Sequence, residues 1–220
     1  GEELTMDAAF WHRCWERNSL GFHQEVVHPF LDEYIKPLIK PNDKNIFVPL
    51  CGKSLDMLWL AERFNLVGNE LSDIACRDFF VDNGIEYKQE AVSDFKRYYF
   101  NNVSLYQGDF FKFSQVITSS FDLIYDRAAI IALPKALQVK YAKHLASFIG
   151  KSTRLFLITL EFPKEELEGP PFPVFSNDLE QLFEGYTVEC IASRALENKQ
   201  FAQRVFDVSY LTERLYLITQ

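Results

Sequence analysis

Four short stretches of the chain combine residue types suited to gripping a small polar ligand. Leu50-Cys51-Gly52-Lys53-Ser54 follows an apolar run, and its glycine lets backbone approach a ligand closely. Glu70 stands twenty residues after Leu50, a spacing from which a carboxylate accepts hydrogen bonds from both hydroxyls of a ribose. Gly108-Asp109-Phe110 offers a carboxylate and a ring for the edge and face of an adenine. Asp126-Arg127 offers a guanidinium whose fork geometry matches a ligand carboxylate.

Each stretch has a plainer reading too. Gly52 serves a turn, Glu70 a helix cap or a solvated surface, and Asp109 a cap. Arg127 pairs with Asp126, and Cys51 is a small buried apolar residue. Two other phosphate-binding readings fail on composition. Gly52-Lys53-Ser54 resembles the end of a G-x-x-x-x-G-K-[ST] loop, but Phe47 occupies the place of its first glycine, and Pro49 lacks an N–H for a phosphate. The same turn has one glycine, not the G-x-G-x-x-G that admits a pyrophosphate to a helix N-terminus.

These residues need elements that bring them to one edge. Strand-like runs cover Asn45 to Leu50, Leu66 to Glu70, Val103 to Gln107, Phe121 to Tyr125 and Leu155 to Leu160, with two more at Thr187 to Ala192 and Leu211 to Ile218. Helical patterns lie between most of them. One starts at Asp7 and carries Phe10, Trp11, Cys14 and Trp15; a second covers Glu25 to Ile35, ended by Pro37 and Pro41. Others run from Leu55 to Arg63, from Ser72 to Asn83, from Pro134 to Phe148 and from Asn177 to Phe183. The alternation predicts an α/β fold of about seven strands, mostly parallel, with helices on both faces and the last two strands antiparallel. Ligands of such sheets sit beyond the carboxyl ends of the strands, where the four stretches fall.

Composition narrows the partners. The 31 acidic against 23 basic residues leave a net charge of −8, which argues against a phosphate-backbone binder and hence against nucleic acid. No run of uncharged apolar residues is long enough for a spanning helix, so no membrane partner is expected. The acidic N-terminus lacks a secretory pattern. Cys14, Cys51, Cys76 and Cys190 lie far apart, and the four histidines form no metal-binding pattern, so no metal site is expected. Free thiols fit a reducing cytoplasm. One compact chain of 220 residues reads as a single domain and a monomer.

Val48-Pro49-Leu50-Cys51-Gly52-Lys53-Ser54-Leu55-Asp56-Met57 resembles the first motif of the thiopurine S-methyltransferase family, which departs from the commoner glycine-rich methyltransferase loop. Further blocks agree in order: Phe10-Trp11 with Trp15, Gly21-Phe22-His23-Gln24, Gly68-Asn69-Glu70-Leu71-Ser72, Gly108-Asp109-Phe110-Phe111, Tyr125-Asp126-Arg127-Ala128-Ala129 and Gly169-Pro170-Pro171-Phe172. The likeness runs from Phe10 to the final strand and is closer to bacterial members. It implies a Rossmann-like class I S-adenosylmethionine-dependent methyltransferase, with residues 1–220 as one domain and the N-terminal helices, about 7–36, as a lid over the cofactor.

The implied activity is in-line methyl transfer to sulfur of aromatic or heterocyclic thiols such as thiopurines, with selenium or tellurium species as further acceptors and S-adenosyl-L-homocysteine as product. The alternatives are a halide or thiol methyltransferase of the same superfamily and a non-catalytic S-adenosylmethionine-binding protein. Carried over residue by residue, Trp11 and Trp15 match tryptophans that close over the cofactor. Leu50 and Gly52 lie beside its methionine part, Glu70 takes the ribose, and Asp109 and Phe110 take the adenine. Arg127 serves cofactor binding and catalysis, and Phe22 faces the acceptor. A tryptophan pair at helical spacing, taken alone, reads as core; the shared order of blocks turns it toward a lid. Asn69 departs from the family's usual aliphatic residue.

Overall fold

The computed structural model describes residues 2–20, 26–115 and 120–220. Backbone contacts divide them into two compact units. The first holds α1 (Glu2–Leu20), β1 (Asn45–Pro49), α2 (Asp56–Ala61), β2 (Asn65–Glu70), α3 (Asp73–Val81), β3 (Lys88–Val92), β4 (Phe95–Phe100) and β5 (Val103–Gln107). Its strands lie in the order β3-β4-β5-β2-β1. β2 runs parallel to β1 and to β5, and the register sets Pro49, Asn69 and Tyr106 side by side. Three strands therefore finish at one level.

The reasons are local. Ile46, Phe47 and Val48 are buried on both faces, the mark of a parallel strand under helices. Phe47 stacks within 5.1 Å of Phe113 and of Phe121. α2 buries all six of its residues. α3 begins where Ser72, in extended backbone, accepts the Ala75 N–H at 3.1 Å, an N-cap that also stops β2.

The second unit contains β6 (Leu123–Arg127), α4 (Lys135–Ala146), β7 (Arg154–Glu161), α5 (Ser176–Leu182), β8 (Thr187–Ala195), a ribbon of β9 (Gln200–Phe201) and β10 (Arg204–Val205), and β11 (Thr212–Thr219). β6 and β7 are parallel; β11 inserts antiparallel between β7 and β8, so the order is β6-β7-β11-β8. β7 is buried along seven of its eight residues, as its unbroken apolar run requires.

The α/β class expected from the sequence is what the chain adopts. The strand number is corrected: among the described residues, five sheet strands in the first unit and four in the second, apart from the β9–β10 ribbon, exceed the seven expected. The additions are β3 and β4, which pair antiparallel with each other and, through β4, with β5. β4 buries Phe95 and Tyr98 and leaves charged residues between them, so its apolar content is too sparse for a covered strand. β3 is exposed along most of its length. Of the helix read from Glu25 to Ile35, residues 26–28 take no helical form; helix begins at Pro29 and continues as a π-helical turn, Leu31–Ile35, followed by a 3-10 turn at Lys36–Leu38. Pro37 has no N–H to carry a helix further.

Candidate functional site

Glu70 is the last residue of β2, and its neighbours hold its carboxylate still. Oε1 accepts the Gly52 N–H at 3.0 Å and Oε2 the Ser72 N–H at 2.8 Å. The Glu70 carbonyl accepts the Gly108 N–H at 2.9 Å. Glu70 thus ties the loops after β1 and β5 to the start of α3. A carboxylate has about four lone-pair sites, so two remain for ligand hydroxyls.

The loop after β1 turns sharply, with left-handed backbone at Leu50 (φ 46°) and Gly52 (φ 55°). A leucine in that conformation costs about 1–2 kcal/mol, so its surroundings must impose it. A Cβ placed on Gly52 would meet nothing within 4 Å, which leaves room for a ligand against the backbone. Cys51 is buried over Gly68: a Cβ there would lie 2.8 Å from the Cys51 sulfur and 2.7 Å from Leu105. Burial pushes the Cys51 thiol well above its ordinary range, with Cys76 and Glu70 adding to it. A thiol so held is a packing group, as its plainer reading had it.

Asp109 is exposed, and its Oδ1 accepts the Phe111 N–H at 2.9 Å, capping the 3-10 turn Phe110–Gln115. Its second oxygen is available to a ligand. Phe110 is only 6% exposed and lies nearly parallel to Phe47, ring centres 6.3 Å apart. Most of that ring belongs to the core. The structure thus brings Leu50, Gly52, Glu70, Asp109 and Phe110 to one end of β1, β2 and β5.

It does not bring Trp11 and Trp15 there. Trp11 is fully buried, stacks on Phe79 and donates from Nε1 to Asn102 Oδ1 at 2.7 Å. Asn102 immediately precedes β5, and its amide donates to Ala61 and Phe64 carbonyls at the end of α2. Trp15 donates to Glu62, also just past α2. Both tryptophans therefore anchor α1 at the amino ends of β2 and β5, opposite the Glu70 cluster. The plainer core reading describes these contacts. Phe22, expected to face the acceptor, lies outside the described residues, as do Gly21, His23 and Gln24.

In the second unit, Arg127 ends β6 half-buried. The preceding Asp126 is fully buried: Oδ1 accepts the Ala129 and Ile130 N–H groups at 3.2 and 3.3 Å, and Oδ2 the Tyr141 hydroxyl at 2.6 Å. Burial raises its pKa from 3.8 to about 6, against those three hydrogen bonds, which lower it. Ala128 takes left-handed backbone (φ 66°) within this turn. The unit also has a cavity of about 1130 Å³ lined by Phe172, Phe175, Tyr186 and Tyr210, with Lys135 and Lys143 of α4; Arg127 is not among its lining residues.

Two contacts were not foreseen from the sequence, although Asn69 itself stood out there. Asn69 Nδ2 donates to the Tyr106 and Gly108 carbonyls at 2.9 and 3.2 Å, and Tyr141 of α4 reaches Asp126. A polar residue inside an otherwise apolar strand was the available signal for Asn69; nothing marked Tyr141.

An α/β sheet with a carboxylate at a strand end is an arrangement that S-adenosylmethionine-dependent methyltransferases share. Solved structures agree on the fold. A SAM-dependent methyltransferase of Anabaena variabilis ATCC 29413 is similar at TM-score 0.60 and 14% identity, covering 97% of this chain and 94% of that one. Magnesium protoporphyrin IX methyltransferase of Synechocystis PCC 6803, solved with bound SAH, is similar at 0.58 and 14%, covering 96% and 94%.

Residues 6–220 match the family described as thiopurine S-methyltransferase. Thiopurine S-methyltransferases of Shewanella baltica strain OS185 and of Shewanella oneidensis are each 41% identical over 217 residues, 97% of this chain and 99% of theirs. The chain belongs to the thiopurine S-methyltransferase family, and it is an enzyme whose methyl donor is S-adenosylmethionine. The residues present fit that donor: Glu70 keeps acceptor capacity for hydroxyls, and the space a Cβ would take at Gly52 is open. No helix among the described residues is long and apolar enough to cross a membrane.

Proposed function

We propose that the enzyme methylates the sulfur of aromatic and heterocyclic thiols, thiopurines among them, and accepts selenium or tellurium anions by the same chemistry. The observation that carries the reading is Glu70, clamped by the Gly52 and Ser72 N–H groups at the carboxyl end of β2 with the open Gly52 backbone beside it. Glu70 takes the ribose hydroxyls. Leu50 and Gly52 flank the methionine part, and Asp109 takes the adenine edge on a floor that includes Phe110. Trp11 and Trp15, held at the other end of these strands, have no part in it.

When bound, S-adenosylmethionine supplies a methyl group already activated by its sulfonium. The chain's own work is positional, which can remove several kcal/mol of barrier. Arg127 contributes charge: a cation near the acceptor favours its anion and lowers the pH at which a thiol becomes a thiolate. Acceptors of low pKa then need no general base. The four cysteines are widely spaced and form no paired motif, which favours a reducing compartment such as the cytoplasm.

The test is a panel of aromatic thiols, thiopurines, selenite, tellurite and halides, scored for label from methyl-labelled donor. Label on the thiols supports the proposal; label on halides alone overturns it. Arg127→Ala is expected to lower transfer to thiols by tenfold or more, roughly what a lost charged hydrogen bond implies.

A further inference from the structure

Asn69 is buried, 1% exposed, at the one level where β1, β2 and β5 end together. It serves both neighbours. Its backbone carbonyl accepts the Cys51 N–H at 3.0 Å, on the β1 side. On the β5 side its side-chain amide donates to the carbonyls of Tyr106 and Gly108. Gly108 is thereby held twice by one dipeptide: its N–H by the Glu70 carbonyl, its C=O by Asn69 Nδ2.

Gly108 needs holding. Its φ of 153° is a conformation that glycine visits and side-chain-bearing residues rarely do, so little in the residue itself fixes the peptide that follows. In a planar trans peptide the C=O and N–H point opposite ways. With the Gly108 carbonyl turned inward to Asn69, the Asp109 N–H is turned outward, and no acceptor among the described residues takes it. Asp109 is exposed beside it. An aliphatic residue at position 69 would leave the Gly108 carbonyl without this donor, and the peptide would be held only from its flanks, by the Gly108 N–H on the Glu70 carbonyl and the Lys112 N–H on the Asp109 carbonyl.

We propose that Asn69 is a positioning residue for the adenine end of the methyl donor. Its amide fixes the Gly108–Asp109 peptide, and through it the direction from which the Asp109 N–H and carboxylate meet the base. The inference rests on the cofactor reading given above and assigns to position 69 the base selectivity of that site.

The test compares two probes by calorimetry on the full chain: S-adenosylhomocysteine, and S-inosylhomocysteine, in which a carbonyl replaces the exocyclic amine. The wild-type chain is expected to prefer the adenosine compound. Asn69→Leu, similar in size but without donors, is expected to cut that preference about tenfold, the scale of a lost hydrogen bond to the base. A merely structural asparagine would lower the melting temperature and weaken both probes alike; equal weakening, or none, overturns the inference while leaving the cofactor reading in place. Asn69→Ser, polar but too short to reach, is the second variant and reads the same way.

A third measurement needs only the wild-type chain. On adding S-adenosylhomocysteine, hydrogen exchange at the Asp109 N–H is expected to slow about tenfold or more, while the Gly108 N–H, already bonded to Glu70, changes little. Unaltered exchange at Asp109 with the ligand bound overturns the inference. Failure of the wild-type chain to bind either probe overturns the cofactor reading and the inference with it.

Discussion

Glu70 does two things with one carboxylate. It closes the loops around it through the Gly52 and Ser72 N–H groups, and it keeps acceptor capacity for a ligand. Glu70→Ala removes both, while Glu70→Gln keeps the shape and one acceptor oxygen. Calorimetry with S-adenosylhomocysteine is expected to show a loss of roughly 1–3 kcal/mol for the alanine variant and a smaller loss for glutamine; unchanged affinity in both would remove Glu70 from the site. Its place at the end of the second strand was readable from the sequence; its clamp by the Gly52 and Ser72 N–H groups was not. Asp109 was readable only in part: one oxygen is used as a cap, and only the structure shows which.

Two elements are tied by buried polar contacts whose partners lie far apart in the chain. α1 is pinned by Trp11 to Asn102, a residue 91 positions away. Trp11→Ala is expected to cost about 3–5 kcal/mol of stability, read by denaturant unfolding, and to leave S-adenosylhomocysteine affinity unchanged. A loss of affinity at full stability would restore the lid role. α4 is tied to β6 by the Tyr141 hydroxyl on Asp126. Because the folded pKa of Asp126 is raised from 3.8 to about 6, the native state binds the proton more tightly than the unfolded chain. Stability from this group is therefore greatest below about pH 4 and falls as pH rises through 6. The fall amounts to roughly 3 kcal/mol. Asp126→Asn should flatten that part of the stability-against-pH curve; a curve that keeps its slope would mean another group carries it. Tyr141→Phe should steepen it, since a bond that favours the ionised form is lost.

At the scale of the whole molecule, a ligand that binds only the native state raises its stability by about 2.7 kcal/mol at a hundred times its dissociation constant. S-Adenosylhomocysteine should raise the melting temperature accordingly and NAD should not; the reverse result would contradict the donor assignment. Much of the molecule was legible residue by residue. The continuous apolar run Leu155 to Leu160 reads as a covered strand and is one, and Ser72 reads as the cap of the helix that follows it, because each of these depends on neighbours close in sequence. β4 was not legible, since it buries only Phe95 and Tyr98 with Lys96 and Arg97 between them, and its pairing with β5 is what makes it a strand. Nor was the fate of the tryptophans: helical spacing puts Trp11 and Trp15 on one face of α1 but does not say what that face meets. Asn69 shows the limit most clearly. Its type and position were visible, but its purpose depends on two carbonyls 37 and 39 residues further along, and distances of that kind exist only once the chain has folded.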